Sequence, residues 1–313
     1  MNMHYAPVLQ MLATSITLLA PLTAVSISQS LSSRTALEAM NQQPGALSVL
    51  RKTMILTLAI NETSAIFALL TTLLIFMGSC TSVAEGLGYL GMAFAMAIPA
   101  IVVGYLSNFP IRNAIVSLAR QPNLATKLTT LLLIVLTVPQ TPVIFGFVMA
   151  IVIKQYIITG IPLAFGIKLL ASGFALGFGA VGPSIGIFLL ASQACYSIGI
   201  VKNLYERIIS FIFISQAVIE TPFLFALVLA FLIMFSSIDS WILAAPIAAV
   251  IISLATLTTG IGSGKIAQKA CEQIAYNTEM TPTLSRTSLL GQTFVDTNVI
   301  YATLIALGIL FLS

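Results

Sequence analysis

Long apolar stretches alternate with short polar turns along the whole chain, and the stretches occur in pairs. Eight of them are long enough to cross the hydrocarbon core of a bilayer as α-helices, which takes about 20 residues. Several are longer than that, so we expect them to tilt or to project beyond the bilayer. The predicted helices lie near residues 7–32, 54–77, 88–118, 128–153, 160–195, 208–236, 241–270 and 287–312.

The second helix of each pair carries one repeated polar motif. An acidic or amide residue is followed by threonine and, five positions after the first member, by an aromatic residue. The four copies are Glu62-Thr63 with Phe67, Gln140-Thr141 with Phe145, Glu220-Thr221 with Phe225, and Asp296-Thr297 with Tyr301. Their first members lie 78, 80 and 76 residues apart, and a regular spacing of this kind indicates tandem repeats. The sequence therefore predicts four helical hairpins, at residues 1–78, 79–157, 158–237 and 238–313.

Basic residues mark one end of every hairpin. Two crossings per repeat give all four hairpins the same orientation, which makes them parallel rather than inverted repeats. Of the 13 basic residues, only Lys154 and Lys168 lie near the links between hairpins. The others lie in or beside the turns within hairpins: Arg34, Arg51, Lys52, Arg112, Arg120, Lys127, Lys202, Arg207, Lys265, Lys269 and Arg286. The positive-inside rule then places these turns in the cytoplasm and both termini outside, as expected for a multi-pass protein of a bacterial inner membrane.

Composition supports an all-α membrane protein. Hydrophobic residues make up 58% of the 313 positions and charged residues 7%, whereas a soluble domain carries about 25% charged residues. The formal net charge of +4 does not indicate a nucleic-acid partner, because the basic residues form no block and no nucleic-acid motif is present. Composition thus excludes an ordinary soluble domain.

Three acidic residues lie deep inside apolar helices. An acid at mid-bilayer costs about 2.5–3.5 kcal/mol on insertion scales, so Glu62, Glu220 and Asp296 call for a function. Because lipid favours the neutral carboxyl, such a group can carry a proton and release it where water or a positive charge is available. The alternative is an acid that is paired within the bundle, but no basic residue of the sequence lies at that depth. In the second hairpin Gln140 takes the place of the acid, and an amide cannot titrate.

The residues beside the acids have two interpretations. Thr63, Thr221 and Thr297 either bond back to a carbonyl one turn earlier or offer a hydroxyl to the carboxyl or its ion. In the second case they belong to the ion site together with Tyr301, whose phenol can donate to Asp296. We interpret the three phenylalanines of the motif as packing residues. The first helices are rich in glycine and serine, which favours close approach of helix backbones in lipid.

Each hairpin resembles the c subunit (proteolipid) of rotary ATP synthases, and the loop of the second hairpin resembles that of the bacterial F-type. In that family a helix rich in small residues leads to an Arg-Gln-Pro loop, and a second helix carries the ion-binding carboxylate. Arg120-Gln121-Pro122 matches the loop directly, and Gln42-Gln43-Pro44 matches it nearly. The resemblance implies that Glu62, Glu220 and Asp296 carry ions and that Gln140 is silent, so that four hairpins would have three carriers.

The resemblance also implies an assembly and its partners. The hairpins would form a rotor ring, or c-ring, with the small-residue helices inside, turning against a stator protein whose arginine helps displace the ion. The loops would contact the central stalk of the ATP synthase, lipid would surround the ring, and nucleic acid would play no part. The chain itself would be a non-catalytic, ion-translocating component without a cofactor. The number of chains per ring, the presence of other proteolipids, and the direction of synthesis or pumping stay open.

The identity of the carried ion stays open as well. In sodium-binding relatives a first-helix glutamine, the carboxylate and the adjacent hydroxyl hold the ion together, and Gln29, Glu62 and Thr63 match that set. In the fourth hairpin Ser263 takes the position of the glutamine. Sodium needs several oxygen ligands whereas a proton needs one acceptor, so we favour the proton. The alternatives for the whole chain are a vacuolar-type pump proteolipid and an eight-helix secondary ion transporter.

Overall fold

The computed structural model describes residues 5–201, 204–236 and 242–312, which form α-helices and four 3-10 helices and contain no strand. In this part of the chain eight helical spans are long and apolar enough to cross a membrane, as the sequence predicts. Lys202 and the predicted boundary between the third and fourth hairpins, at 237 and 238, lie outside the described residues. The α-helices are α1 (Tyr5–Gln42), α2 (Leu47–Phe76), α3 (Val83–Leu106), α4 (Asn108–Arg120), α5 (Ala125–Thr137), α6 (Thr141–Tyr156), α7 (Leu163–Gly179), α8 (Val181–Ile200), α9 (Leu204–Phe235), α10 (Ala244–Tyr276) and α11 (Thr281–Leu312).

The helices extend beyond the apolar stretches that predict them. The first apolar stretch ends near residue 32, but α1 continues to Gln42. Polar residues such as Arg34 and Glu38 are good helix formers, and the helix stops just before Pro44, which begins a 3-10 turn. Hydropathy reports only the part of a helix that suits lipid, so the turns between helices are shorter than the sequence indicates.

Proline divides three of the predicted helices in two. Proline has no N–H to donate to the carbonyl four residues before it. Pro110 lies four residues after the last residue of α3, and Pro183 lies four residues after the last residue of α7. In the fourth span Pro139 lies in a 3-10 helix, Val138–Gln140, that separates α5 from α6. Each of the predicted stretches near 88–118, 128–153 and 160–195 nevertheless remains one membrane-crossing span, within Val83–Arg120, Pro122–Tyr156 and Leu163–Ile200.

The hairpins stand side by side in two rows. The first row contains the first helices of the hairpins, α1, α3–α4, α7–α8 and α10, each packed on its neighbours in that order. The second row contains α2, α5–α6, α9 and α11. The middle members of the first row are the most buried spans, and the last span of the second row is the least buried. The two end hairpins therefore each have one flank that this chain does not cover.

Glycine allows the closest approach between helices of the first row. A Cβ built on Gly173 of α7 would overlap the carbonyl oxygen of Gly91 in α3, and one built on Gly264 of α10 would overlap the Cα of Gly186 in α8. Protein interiors are close-packed, so any side chain at these positions would push the helices apart. The predicted packing role of the small residues is confirmed.

Candidate ion site

The four repeated polar residues lie near the middle of the second-row spans. Glu62 belongs to α2, Gln140 ends the 3-10 helix between α5 and α6, Glu220 belongs to α9 and Asp296 to α11. Each acid is separated from either end of its helix by roughly 20 Å, at 1.5 Å per residue. The repeat thus brings the three acids and the amide to one depth of the predicted bilayer.

Asp296 receives a hydrogen bond from the first helix of its own hairpin. Ser263 Oγ, on α10, donates to Asp296 Oδ1 over 2.8 Å, and Ser263 is fully buried. This serine is the residue that takes the position of Gln29 in the fourth hairpin. Tyr301 is 63% exposed, so the donor that the structure provides to Asp296 is the serine rather than the predicted tyrosine.

Glu220 faces the neighbouring hairpin instead. Its carboxyl lies within hydrogen-bonding reach of the Thr141 hydroxyl of the second hairpin. Its Oε1 is buried and has no hydrogen-bond partner among the described residues. One turn earlier, Gln216 is 2% exposed, and neither its amide nitrogen nor its oxygen has a partner within the described ranges. Gln216 is not among the predicted site residues, although a polar residue one turn from an acid in an apolar helix is a readable signal.

Glu62 is exposed on the surface of α2. Gln29 Nε2 donates to the carbonyl oxygen of Leu58 over 3.4 Å, and the Thr63 hydroxyl donates to the carbonyl of Ile60 over 2.7 Å. No hydrogen bond from a residue in the described ranges reaches the Glu62 carboxylate. The structure therefore does not join Gln29, Glu62 and Thr63 into a hydrogen-bonded set.

The motif threonines donate to their own helices. Thr63 and Thr297 bond to carbonyls three residues earlier, over 2.7 Å each, and Thr221 bonds to the carbonyl four residues earlier, over 3.2 Å. These bonds match the first interpretation of the threonines, in which each hydroxyl bonds to a carbonyl one turn earlier and needs no ion. Each hydroxyl oxygen nevertheless keeps its lone pairs as acceptors.

Gln140 is held in the seam between the first two hairpins. It is 7% exposed, and Ser64 Oγ of α2 donates to its Oε1 over 3.0 Å. Beside it Asn61 Nδ2 donates to Ser28 Oγ over 3.0 Å, and Ser107 Oγ donates to Asn61 Oδ1 over 2.7 Å. All of these side chains are buried. Neutral amides and hydroxyls satisfy one another in this seam between the first and second hairpins.

The predicted packing role of the aromatic residues is confirmed at two seams. The ring centroids of Phe67 and Phe147 lie 5.3 Å apart, and those of Phe145 and Phe223 lie 6.2 Å apart. Each pair joins a second-row helix to that of the next hairpin. Aromatic pairs at this spacing stabilise the contact beyond their buried area.

The turns differ in what they leave accessible. In the turn of the second hairpin, Gln121 Nε2 donates to the carbonyl of Gly199 in the next hairpin over 2.9 Å. The Arg120 guanidinium lies 5.6 Å from the ring centroid of Tyr196, and Pro122 begins the 3-10 helix that follows. In the first turn Gln42, Gln43 and Pro44 are all exposed. The first turn therefore offers its polar side chains to solvent, whereas the second uses Gln121 to join two hairpins.

Parallel membrane hairpins with carboxyls at one depth of the second row define a class of ion-carrying membrane proteins. The chain belongs to the c-subunit family of ATP synthases, whose model matches residues 90–153, 170–233 and 247–309, more than half of the chain. The three matches fall on the second, third and fourth hairpins and include Gln140, Glu220 and Asp296.

Single-hairpin relatives give the same result. The ATP synthase c-subunits of Chloroflexus aurantiacus and Chloroflexus aggregans are each 40% identical to the chain over 70 residues, which is 22% of this chain and 92% of the relative. That of Dehalococcoides mccartyi is 38% identical over 69 residues, or 22% of this chain and 91% of the relative. The chain is therefore a c-subunit made of fused hairpins. The family supports a rotor-ring, ion-translocating role in a membrane ATP synthase.

Proposed function

We propose that the chain carries protons on Glu62, Glu220 and Asp296, as the non-catalytic rotor component of a rotary ATP synthase. The observation that carries the proposal is the site of Asp296, where one serine donates to the carboxyl over 2.8 Å. A bare alkali cation in a membrane protein needs a shell of oxygen ligands, whereas a proton on a carboxyl needs no shell. The unjoined set of Gln29, Glu62 and Thr63 also favours the proton over sodium.

The proposed mechanism uses the change of charge at each carboxyl. A protonated, neutral acid can face lipid at modest cost, whereas the ionised acid requires water or a positive charge. The arginine of a stator protein supplies that charge, and the ring turns as each acid loses one proton and takes up another. The turns with the basic residues lie in the cytoplasm, where Gln42, Gln43 and Pro44 contact the central stalk. The surrounding lipid is that of a bacterial inner membrane.

The second hairpin passes the stator without exchanging an ion. Gln140 cannot titrate, and Ser64 holds its side chain in the seam. The ring then has three carriers for every four hairpins, so each ATP requires a higher ion-motive force. The same observation favours a vacuolar-type pump ring as the second candidate function, because fewer ions per turn suit a pump. A secondary transporter is less well supported, since its acids would face one another across a cavity, whereas these acids lie along one row.

Carbodiimide labelling of the purified complex, followed by peptide mass mapping, tests the proposal. We expect label on Glu62, Glu220 and Asp296 and none on Gln140, with no protection by sodium. Glu220→Gln is the matched control and should lose the label at that position alone. Protection of all three acids by sodium would refute the proton, and failure to isolate a closed oligomeric ring from detergent would refute the rotor.

A further inference from the structure

A buried amide beside Glu220 has no protein partner within the described ranges. Gln216 is 2% exposed, yet its Nε2 and Oε1 lack hydrogen-bond partners among the described residues, as does Glu220 Oε1. The two residues are four positions apart on α9, so their side chains share one face of the helix, with Cβ atoms about 6 Å apart. Buried polar atoms are rarely left unsatisfied, and three such atoms within one turn indicate a ligand.

In the fourth hairpin the amide nitrogen of the corresponding glutamine has partners, whereas its Oε1, like that of Gln216, has none among the described residues. Gln292 lies one turn before Asp296, and its Nε2 donates to Ser288 Oγ over 3.0 Å and to Ser215 Oγ, on α9, over 3.2 Å. By the repeat spacing, the residues that correspond to these serines around Gln216 are Ile212 and Val135. Both are fully buried and apolar. The contrast between the two hairpins therefore explains why the amide of Gln216 has no side-chain partner.

The neighbouring backbone adds an acceptor at the same depth. Val135 lies in α5 just before the 3-10 break, and Pro139 has no N–H to donate to the Val135 carbonyl. The hydroxyl of Thr141 lies beside the Glu220 carboxyl. The seam between the second and third hairpins thus contains an amide, a carboxyl and a hydroxyl within about one helical turn of depth.

We propose that Gln216 and Glu220 hold an ordered water molecule in this seam and that Glu220 exchanges its proton through it. The unpartnered atoms include one donor, the amide Nε2, and two acceptors, Gln216 Oε1 and Glu220 Oε1. Water both donates and accepts, and a buried water needs two to four polar partners. A bare cation could bind the oxygens but could not accept a hydrogen bond from the amide.

The water gives the proton a route out of the seam. On release, the O–H bond of the Glu220 carboxyl breaks, the proton passes to the water oxygen, and a proton of the water passes on to solvent. The carboxylate that remains accepts a hydrogen bond from the same water. This inference rests on the proposed function, which makes Glu220 a proton carrier.

Charged groups on the helices packed against α9 lie at different depths. Asp296 of α11 is at the depth of Glu220. Lys265 is exposed in the middle of α10, two residues from Ser263. The expectation that Lys265 lies beside a turn and that no basic residue reaches the depth of the acids is therefore wrong. Lys168 of α7 donates to the carbonyl of Ser236, at the end of the hairpin opposite the turns. On the facing second hairpin, Lys127 pairs with Glu206 beside the turns. Along α9, Gln216 lies one turn from Glu220, and its amide atoms have no partner within the described ranges.

The variant Gln216→Leu, in the assembled complex, tests the proposal, with Gln292→Leu as the matched control. The readout is the pH at which carbodiimide labels half of each acid. A hydrogen bond from water stabilises a carboxylate, so Gln216→Leu should raise the half-labelling pH of Glu220 by about one unit, a tenfold change in proton affinity. Glu62 and Asp296 should stay as in the wild type, and Gln292→Leu should leave Glu220 unchanged.

Three outcomes separate this inference from the proposed function. An unchanged half-labelling pH of Glu220 in Gln216→Leu overturns the water, and so does protection of wild-type Glu220 by sodium. Gln216→Met, which keeps the length of the side chain without its amide, replaces the leucine variant if that one fails to assemble. Loss of labelling at all three acids, or the absence of a closed ring, would instead refute the rotor.

Discussion

Replacing Gln140 by glutamate tests whether the second hairpin is silent only because its side chain cannot titrate. Gln140 Oε1 accepts a hydrogen bond from Ser64 Oγ over 3.0 Å, and a carboxyl at the same place can accept the same bond. The site is 7% exposed, so a glutamate there is expected to rest in its neutral form. Gln140→Glu should therefore add a fourth carrier to each chain.

The size of the effect follows from the number of charges moved. One elementary charge that crosses 100 mV is worth about 2.3 kcal/mol. Three carriers per chain thus deliver about 7 kcal/mol per 100 mV, and four deliver about 9 kcal/mol. The ion-motive force needed to make ATP at a fixed phosphorylation potential should fall to about three quarters of the wild-type value.

The assay is ATP synthesis by the reconstituted enzyme in vesicles, with the threshold ion-motive force measured at several fixed ATP/ADP ratios. Gln140→Met is the control, because its side chain has a similar length and cannot titrate, and it should keep the wild-type threshold. Carbodiimide mapping checks that the new carboxyl at position 140 reacts. A labelled position 140 with an unchanged threshold would refute the reasoning that each mid-membrane carboxyl counts as one carrier.

Two substitutions and one labelling experiment test the helix packing, a buried polar network, and the link between the first and second hairpins. Gly173→Ala should lower the thermal midpoint of unfolding, since a Cβ there overlaps the Gly91 carbonyl and overpacking costs about 1–3 kcal/mol. Gly45→Ala is the control, because Gly45 has open space around it. Equal midpoints for the two variants would contradict the described packing of Gly173. Asn61→Leu should lower the free energy of unfolding by about 1–3 kcal/mol in a denaturant titration, because two buried serine hydroxyls lose their hydrogen bonds to the amide and keep only those to each other and to the Gly104 carbonyl. An unchanged value would mean that the amide adds no stability. Burial and the nearby Glu85 carboxylate raise the pKa of Cys80 to about 11. Alkylation of Cys80 at pH 8 should therefore be about 100-fold slower than that of a thiol with an ordinary pKa. A rate equal to that of a free thiol would contradict the buried environment of Cys80.

The repeat spacing predicted the fold because the same spacing governs the tertiary contacts. Several hydrogen bonds between neighbouring hairpins join residues 76 to 79 positions apart, as in Thr53 with Thr129 and Asn113 with Ser192. The three proline breaks were not predicted, since the hydrophobic pattern continues across them. Whether a proline divides a helix depends on the packing of that helix, and α9 continues through Pro222 without a break.

The acids could be located from the sequence, but their hydrogen-bond partners could not. An acid in an apolar helix is conspicuous because lipid makes it costly. Which residue lies beside an acid depends on how each helix is rotated. Asp296 accepts a hydrogen bond from Ser263 of its own hairpin, whereas the Glu220 carboxyl lies beside the Thr141 hydroxyl of the preceding hairpin. The partners of Asn61 could not be predicted either, since one serine lies in α1 and the other lies between α3 and α4.

The links between hairpins have a consequence for how this rotor can change over generations. The link between the second and third hairpins turns through Gly160, whose φ of 82° suits glycine, and it keeps both hairpins on one polypeptide. A ring of identical single hairpins repeats each new substitution at every position, whereas a substitution in this chain alters one hairpin in four. One hairpin can therefore lose its acid while its neighbours keep theirs. If the acids carry the ions as proposed, the number of ions moved per ATP is encoded in the gene, and a single codon can change it.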